Sequence, residues 1–425
     1  MNDTLTLNDS IGREARSRRR GFYERLILDI FAKMQQGYLR LDLPDGTSRH
    51  FGTLGHEVSA HIRVTRPSFF QRCVLFGDLG FGESYVDGDW ETDSIERVIS
   101  WAILNVENTP AMSGSTRRVA TLNLLKVYNR LLHLLRPNSL QTAKQNIAEH
   151  YDLGNDFYRL WLDPTMTYSS AKFSSQTESL EEAQRAKYEA LCQMLRLKPT
   201  DHLLEIGSGW GGMAEYAAKN YGCRVTTVTI SQRQYEFAKE RFKRAGVSER
   251  IDLRLQDYRE ISGKFDKVVS IEMMEAIGDR YLETYFAKIN EVTAPDALIA
   301  LQYITVPDSR HSALRRGVDF IQKHIFPGSL LLSVGRVNKA IHRTGELSLF
   351  ELNDLGIDYA RTLRCWFDAF NARLSEVREQ GFCERFIRKW NYYLQYCESA
   401  FAMRNISVVH ALYSRPNNPR LRVRA

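Results

Sequence analysis

LLEIGSGWGG, residues 203–212, is an apolar run that breaks into glycines and leads into helix-compatible sequence. It reads as a buried strand, a glycine turn, and a helix whose first amides face an anionic group. Gly207, Gly209 and Gly212 satisfy G-x-G-x-x-G, a pattern that dinucleotide enzymes share. Two neighbouring features separate the cases. Glu205 lies two residues before the first glycine, where an acid can position the amino acid end of S-adenosylmethionine. The next strand ends in Thr229-Ile230-Ser231, where a dinucleotide enzyme needs Asp or Glu for a ribose. The pattern therefore points to S-adenosylmethionine rather than NAD.

Working outward from this turn, strand-like runs alternate with helical stretches from about Gln145 onward. They are LLEIGSG, RVTTVTIS, IDLRLQDY, FDKVVSIEM and ALIALQYITV. This alternation predicts an α/β fold with a doubly wound, parallel, Rossmann-like sheet of the class I methyltransferase type. The third run ends in Asp257-Tyr258-Arg259, a polar and aromatic set suited to bracketing an adenine. From about Arg361 the sequence reads as helical. Residues 1–107 predict a smaller mixed α+β domain, with a helix near its start, a strand-like stretch from Tyr38 to Thr53, and the Gly-rich FGDLGFGESYVDGDW.

The 425 residues are 43% hydrophobic and 26% charged, enough for a full core and two domains. No apolar run reaches the roughly 20 residues of a spanning helix, and the polar start, Met1 to Ser10, does not resemble a secretory signal. A cytoplasmic location is expected. The six cysteines form no C-x-x-C pair, which argues against a zinc site and a disulfide framework.

The net charge of +7 is concentrated in three places. Arg13, Arg16, Arg18, Arg19 and Arg20 precede an amphipathic segment in which Tyr23, Ile27, Ile30 and Met34 recur at helical spacing. No acid occurs from Asn108 to Ala148, where arginines and lysines interleave with the leucines of LNLLKVYNRLLHLL. The C-terminal RPNNPRLRVRA, which includes the basic tail 417–425, adds Arg415, Arg420, Arg422 and Arg424. Such stretches suit the surface of an anionic phospholipid membrane, and equally the solvated face of a helix. No nucleic-acid-binding motif accompanies them.

AEHYDLGNDFYRLWLDPTMTYSSAKF (residues 148–173), LEIGSGWGGMAEYAA, VTISQRQ, LQDYRE and DYARTLRCW closely resemble, in order and spacing, the cyclopropane-fatty-acyl-phospholipid synthases and their mycolic acid relatives. The match spans roughly residues 145–416, the expected methyltransferase domain; 108–144 would be a basic linker and 1–107 a lipid-docking domain. The resemblance implies transfer of a sulfonium methyl to the cis double bond of unsaturated acyl chains, at the inner face of the membrane, by a homodimer. It maps cofactor contacts onto Tyr168, Ser169, Gly207, Gly209, Gly211, Thr229, Gln234, Tyr258 and Arg259, beside Glu205 and Asp257. Tyr168, Phe173 and Tyr359 are aromatic candidates for stabilising a cation.

In the resembling family ring closure uses a bound bicarbonate as base, held by a Cys, a Glu, a His and a Tyr. The Glu maps onto Glu275 in MMEAIG and the Tyr onto Tyr359 in GIDYARTL. The Cys position holds Ser170 and the His position Gln302, while Ala276 stands where many relatives have His. Two outcomes stay open: a synthase that still binds bicarbonate through Glu275, Tyr359 and backbone amides, or altered chemistry giving methyl-branched or methylene chains. An N-methyltransferase of a hydrophobic amine, with Glu275 as base, is a third reading, and a membrane-associated binding protein without catalysis a fourth.

Overall fold

The computed structural model describes residues 21–106, 153–315 and 317–421. The arginines up to Arg20, the basic linker and the last tail residues, 422–425, lie outside the described residues.

The N-terminal part packs helices α1 (Phe22–Phe31), α2 (Ser68–Val86) and α3 (Ile95–Leu104) with a four-stranded sheet. Its strands are β1 (Tyr38–Asp42), β2 (Ser48–Gly52), β3 (Ser59–Val64) and β4 (Trp90–Glu91), in the order β2-β1-β3-β4. The stretch expected to be strand-like from Tyr38 to Thr53 is the β1–β2 hairpin, with Tyr38 opposite Gly52. The Gly-rich passage is largely helical, interrupted at Gly77, whose φ of 60° few other residues tolerate. The amphipathic α1 region does not offer its apolar face to a membrane. Ile27, Phe31 and Met34 are buried in the core, because the sheet beneath needs an apolar cover.

The second sheet contains β5 (His202–Ile206), β6 (Arg224–Thr229), β7 (Ile251–Leu255), β8 (Phe265–Ile271), β9 (Thr293–Thr305), β10 (Ser348–Asp354) and β11 (Ser407–Ser414). Their order is β10-β11-β9-β8-β5-β6-β7. The five runs read from the sequence form the parallel portion. The C-terminal stretch expected to be helical also contains β11, which pairs antiparallel with β9 and β10. Its run VVHALY is buried on both faces, so it lacks the alternation that marks a half-exposed strand.

The longer helices of this part are α4 (Leu180–Met194), α5 (Gly212–Tyr221), α6 (Gln232–Arg244), α7 (Leu282–Val292), α8 (Val334–Thr344), α9 (Gly356–Ala372) and α10 (Glu384–Ala402). Successive strand residues point to opposite faces. Leu204 and Ile299 join a core with α7 and α8, whereas Leu203 and Leu298 join one with α4, α5 and α6. Strand order reverses between β5 and β8, and in open α/β sheets the crevice at the carboxyl ends of such strands is where ligands bind.

Helix α10 joins the two parts. It is buried nearly all round, through Trp390, Tyr392, Tyr393, Leu394 and Phe401. The N-terminal core and the aromatics of α9 and α10 form one continuous cluster. Polar contacts cross the seam as well: the Ile95 amide donates to Gln395 Oε1 at 3.0 Å and Ser399 Oγ donates to the Glu96 carbonyl at 2.8 Å. Gly82 of α2 permits the close approach, since a Cβ there would meet Phe320 Cδ2 at 2.6 Å and Tyr392 Cε1 at 2.9 Å. Gly82→Ala is expected to destabilise the whole chain by about 1–3 kcal/mol through overpacking, read as a lower urea midpoint with an unchanged slope.

Candidate active site

One cavity of ≈ 410 Å³ opens at the carboxyl ends of β5 and β8. Its polar end is walled by Glu205, Gly207, Gly209, Thr229, Gln234, Asp257, Tyr258 and Arg259; Tyr168 and Ser169 border it, and Phe326, Leu363, Tyr393 and Phe401 form an apolar end. These ten sequence-expected cofactor contacts therefore share one cavity. Gly211 does not. Its φ of +87° sets the start of α5, and a Cβ there would meet Phe242 at 2.7 Å, so its glycine serves the turn and helix packing.

Glu205 is buried at the end of β5, and burial pushes its carboxyl up to about 8, while Thr227 Oγ1, donating at 2.5 Å, pulls the other way. Asp257 accepts hydrogen bonds from Arg259 Nε and Nη2, each at 2.8 Å, and the guanidinium lies over Tyr258. Thr229 Oγ1 donates to Gln234 Oε1 at 3.0 Å.

The segment Met166–Ser170 reaches the site because its turn is pinned from behind. Asp163 accepts from the Thr165 amide at 2.8 Å and from Thr165 Oγ1 at 2.5 Å. Helix α4 holds the next residues: Lys187 Nζ donates to Ser169 Oγ at 2.7 Å and Gln184 Nε2 to the Ser169 carbonyl at 2.9 Å. The start of the segment that carries the family resemblance, through residue 152, lies outside the described residues. Phe173, expected near the reacting centre, does not line the cavity; the Arg361 guanidinium stacks 3.8 Å from its ring centre.

The four positions mapped to the bicarbonate cradle do not meet around Glu275. Ser170, Gln302 and Tyr359 converge on Glu272, a residue the sequence reading did not single out. Glu272 Oε1 accepts from the Ser170 amide at 2.8 Å and from Gln302 Nε2 at 2.7 Å, while Oε2 accepts from the Tyr359 hydroxyl at 2.8 Å. Glu272 and Tyr359 line the cavity, whereas Ser170 and Gln302 are buried behind Glu272. Glu275, on the following turn, also lines the cavity; its Oε1 accepts from the Ile304 amide at 2.5 Å and its Oε2 is buried without a partner. The available signal was an acid at the end of a central strand, at the reversal of strand order.

Burial raises the Glu272 carboxyl, opposed by the Ser170 amide, Tyr359, Gln302 and the charge of Lys187. Burial, then the neighbouring Glu272 charge, pushes Glu275 up to about 8, so at neutral pH it carries its proton. Burial also lowers Lys187 to about 7. Glu272 has a φ of 46°, a left-handed conformation costing a residue with a side chain about 1–2 kcal/mol. The cradle donors expected to hold a bicarbonate are therefore already engaged by a carboxylate of this chain, and bicarbonate does not fit among them.

Gln302 is oriented from both sides. Its amide nitrogen also donates to the Ser170 carbonyl at 3.1 Å, which only an N–H satisfies, so its oxygen faces His410 Nε2 at 2.8 Å. His410 sits directly across the β9–β11 ladder from Gln302 and must carry its proton on Nε2. Burial lowers this imidazole from 6.5 to about 3. Between those values the unfolded chain takes up a proton that the folded chain refuses, so stability falls as pH drops from about 6.5 toward 3. His410→Gln should remove that part of the acid decline, checked by urea unfolding at a series of pH values.

A largely parallel sheet with this strand order, a glycine turn flanked by a buried acid, and a cavity lined by both polar and aromatic residues define an S-adenosylmethionine-dependent methyltransferase of class I fold. The mycolic acid cyclopropane synthetase family model matches residues 138–411, and the chain belongs to that family. It is 37% identical over 370 residues to the cyclopropane-fatty-acyl-phospholipid synthase of Escherichia coli K12, covering 86% of this chain and 90% of that protein. It is 35% identical over 383 residues to the tuberculostearic acid methyltransferase UfaA1 of Mycobacterium tuberculosis, covering 85% and 84%. The mycolic acid cyclopropane synthase CmaA1 of a crystal structure complexed with SAH and CTAB superposes with a TM-score of 0.59 and 28% identity, over 64% of this chain and 98% of that one. No described helix is long and apolar enough to cross a membrane.

Proposed function

We propose that the protein methylates the cis double bond of unsaturated acyl chains of membrane phospholipids and closes the added carbon into a cyclopropane ring. The observation that carries this reading is one cavity joining a polar cofactor end to an aromatic end, in a chain with high similarity to a phospholipid cyclopropane synthase. When bound, S-adenosylmethionine supplies a methyl group on a sulfonium, electrophilic enough for an alkene.

The residues present suit that cofactor. Glu205 would receive its ammonium, Gly207 and Gly209 would let the backbone come close, Asp257 and Tyr258 would hold the adenine, and Thr229 with Gln234 would complete the polar wall. The faces of Tyr168, Tyr359 and Phe401 exclude water and stabilise a cation on the acyl chain, an attraction typically worth about 2 kcal/mol when desolvated. Holding methyl and alkene in line removes much of the entropic barrier.

Phospholipid reaches the site by docking of the N-terminal part on an anionic membrane surface. Supporting this are the exposed Phe22 and Leu54, 68% and 79% accessible, rather than the buried face of α1. A second reading, a methyl-branched or methylene chain, is favoured by the similarity to a tuberculostearic acid methyltransferase.

Two experiments test these assignments. Purified protein, methyl-labelled S-adenosylmethionine and vesicles of unsaturated anionic phospholipid should yield labelled cyclopropane chains by mass spectrometry with fragmentation; label only in open chains would select the second reading, and label in no lipid would reject both. Calorimetry should show cofactor affinity rising as pH climbs toward about 8, because Glu205 must lose its proton to meet an ammonium. The gain is at most about tenfold per pH unit, and Glu205→Gln should flatten it.

A further inference from the structure

Resting on the methyl transfer proposed above, we propose that the Glu272 carboxylate is the base of this reaction, standing where a bound bicarbonate would be expected. An ionised carboxylate offers about four lone-pair sites. Two on Oε1 and one on Oε2 are used by Ser170, Gln302 and Tyr359, and the remaining site is on Oε2, in a side chain that lines the cavity. The three donors favour the charged form. Tyr359 stays protonated, since burial and then the Glu272 charge hold its hydroxyl well above the usual range, and it remains a donor throughout.

Backbone conformation argues in the same direction. A glycine would occupy the φ of 46° at position 272 without strain, yet the chain presents a glutamate there, and strain of this kind clusters at functional positions. Gln302 has no basic lone pair to offer the cavity, because its oxygen faces His410 and its nitrogen faces Glu272. Of the two neighbouring carboxyl groups, Glu272 meets three donors whereas Glu275 meets the Ile304 amide alone and has an unpartnered oxygen, so negative charge is better accommodated on Glu272.

In the step itself, the alkene π pair bonds to the methyl carbon, the carbon–sulfur pair returns to sulfur, and the second alkene carbon becomes cationic. Glu272 Oε2 then takes a proton from the new methyl, and the released C–H pair closes the ring. The neutral acid returns its proton to water as product leaves.

The test compares wild type, E272Q and E272G in buffer depleted of carbon dioxide, with and without added bicarbonate, alongside equilibrium dialysis against radiolabelled bicarbonate. Wild type should transfer methyl at the same rate in both buffers and retain no label. E272Q should lose about 100-fold or more in rate, with cofactor affinity unchanged. E272G, relieved of backbone strain and with the three donors vacated, should retain label and regain activity with bicarbonate; its cofactor affinity checks that it has folded. Wild type that retains label or speeds up with bicarbonate overturns the proposal, as does E272Q at the wild-type rate. Wild type that methylates no lipid rejects the proposed function instead, and dialysis still judges Glu272.

Discussion

A carboxylate set into the end of a central strand has to be met by hydrogen-bond donors, and the architecture around Glu272 supplies them from three directions. The Ser170 amide comes from the segment after the Asp163 turn, the Gln302 amide from β9, and the Tyr359 hydroxyl from α9. Each donor is fixed by something further out. Helix α4 grips the segment through Lys187 and Gln184, His410 of β11 sets the Gln302 amide, and α9 is packed against α10. An unsatisfied member would leave a buried polar group costing about 1–3 kcal/mol, so the network couples elements distant in sequence into one geometry.

The same burial acts on two acids with different sets of partners. Glu272 has donors and the distant charge of Lys187; Glu275 has one backbone amide and an unpartnered oxygen beside a like charge. Environment, not residue type, separates them, which is how paired carboxyl groups commonly acquire different roles. The aromatic end of the cavity adds the complementary property, a dry wall with polarisable faces. Tyr168 and Trp366 pack with ring centres 5.2 Å apart, and the Tyr168 and Tyr393 hydroxyls are 2.8 Å apart.

Helix α10 ties this wall to the N-terminal part. Its Tyr393 and Phe401 line the cavity, while Tyr392 and Gln395 contact α2 and α3. The two parts share one apolar core, so the pocket wall is supported by residues hundreds of positions away in the chain.

The strand, glycine turn and helix around Gly207 were legible in the sequence because they rest on local chemistry: apolar runs, residues tolerant of positive φ, and exposed first amides. So were the parallel strands, and with them the positions of Glu205, Thr229 and Asp257 at or near strand ends, whereas Tyr168, Ser169 and Gln234 were reached only through the family resemblance. Only the tertiary structure decided that Glu272, not Glu275, receives the cradle, that Ser170 and Gln302 stand behind it, that His410 orients Gln302, and that the apolar face of α1 is buried. Those outcomes depend on the register between β8, β9 and β11 and on a left-handed backbone at position 272. Pairing of distant strands is a property of the packed chain, and no local run of residues encodes it.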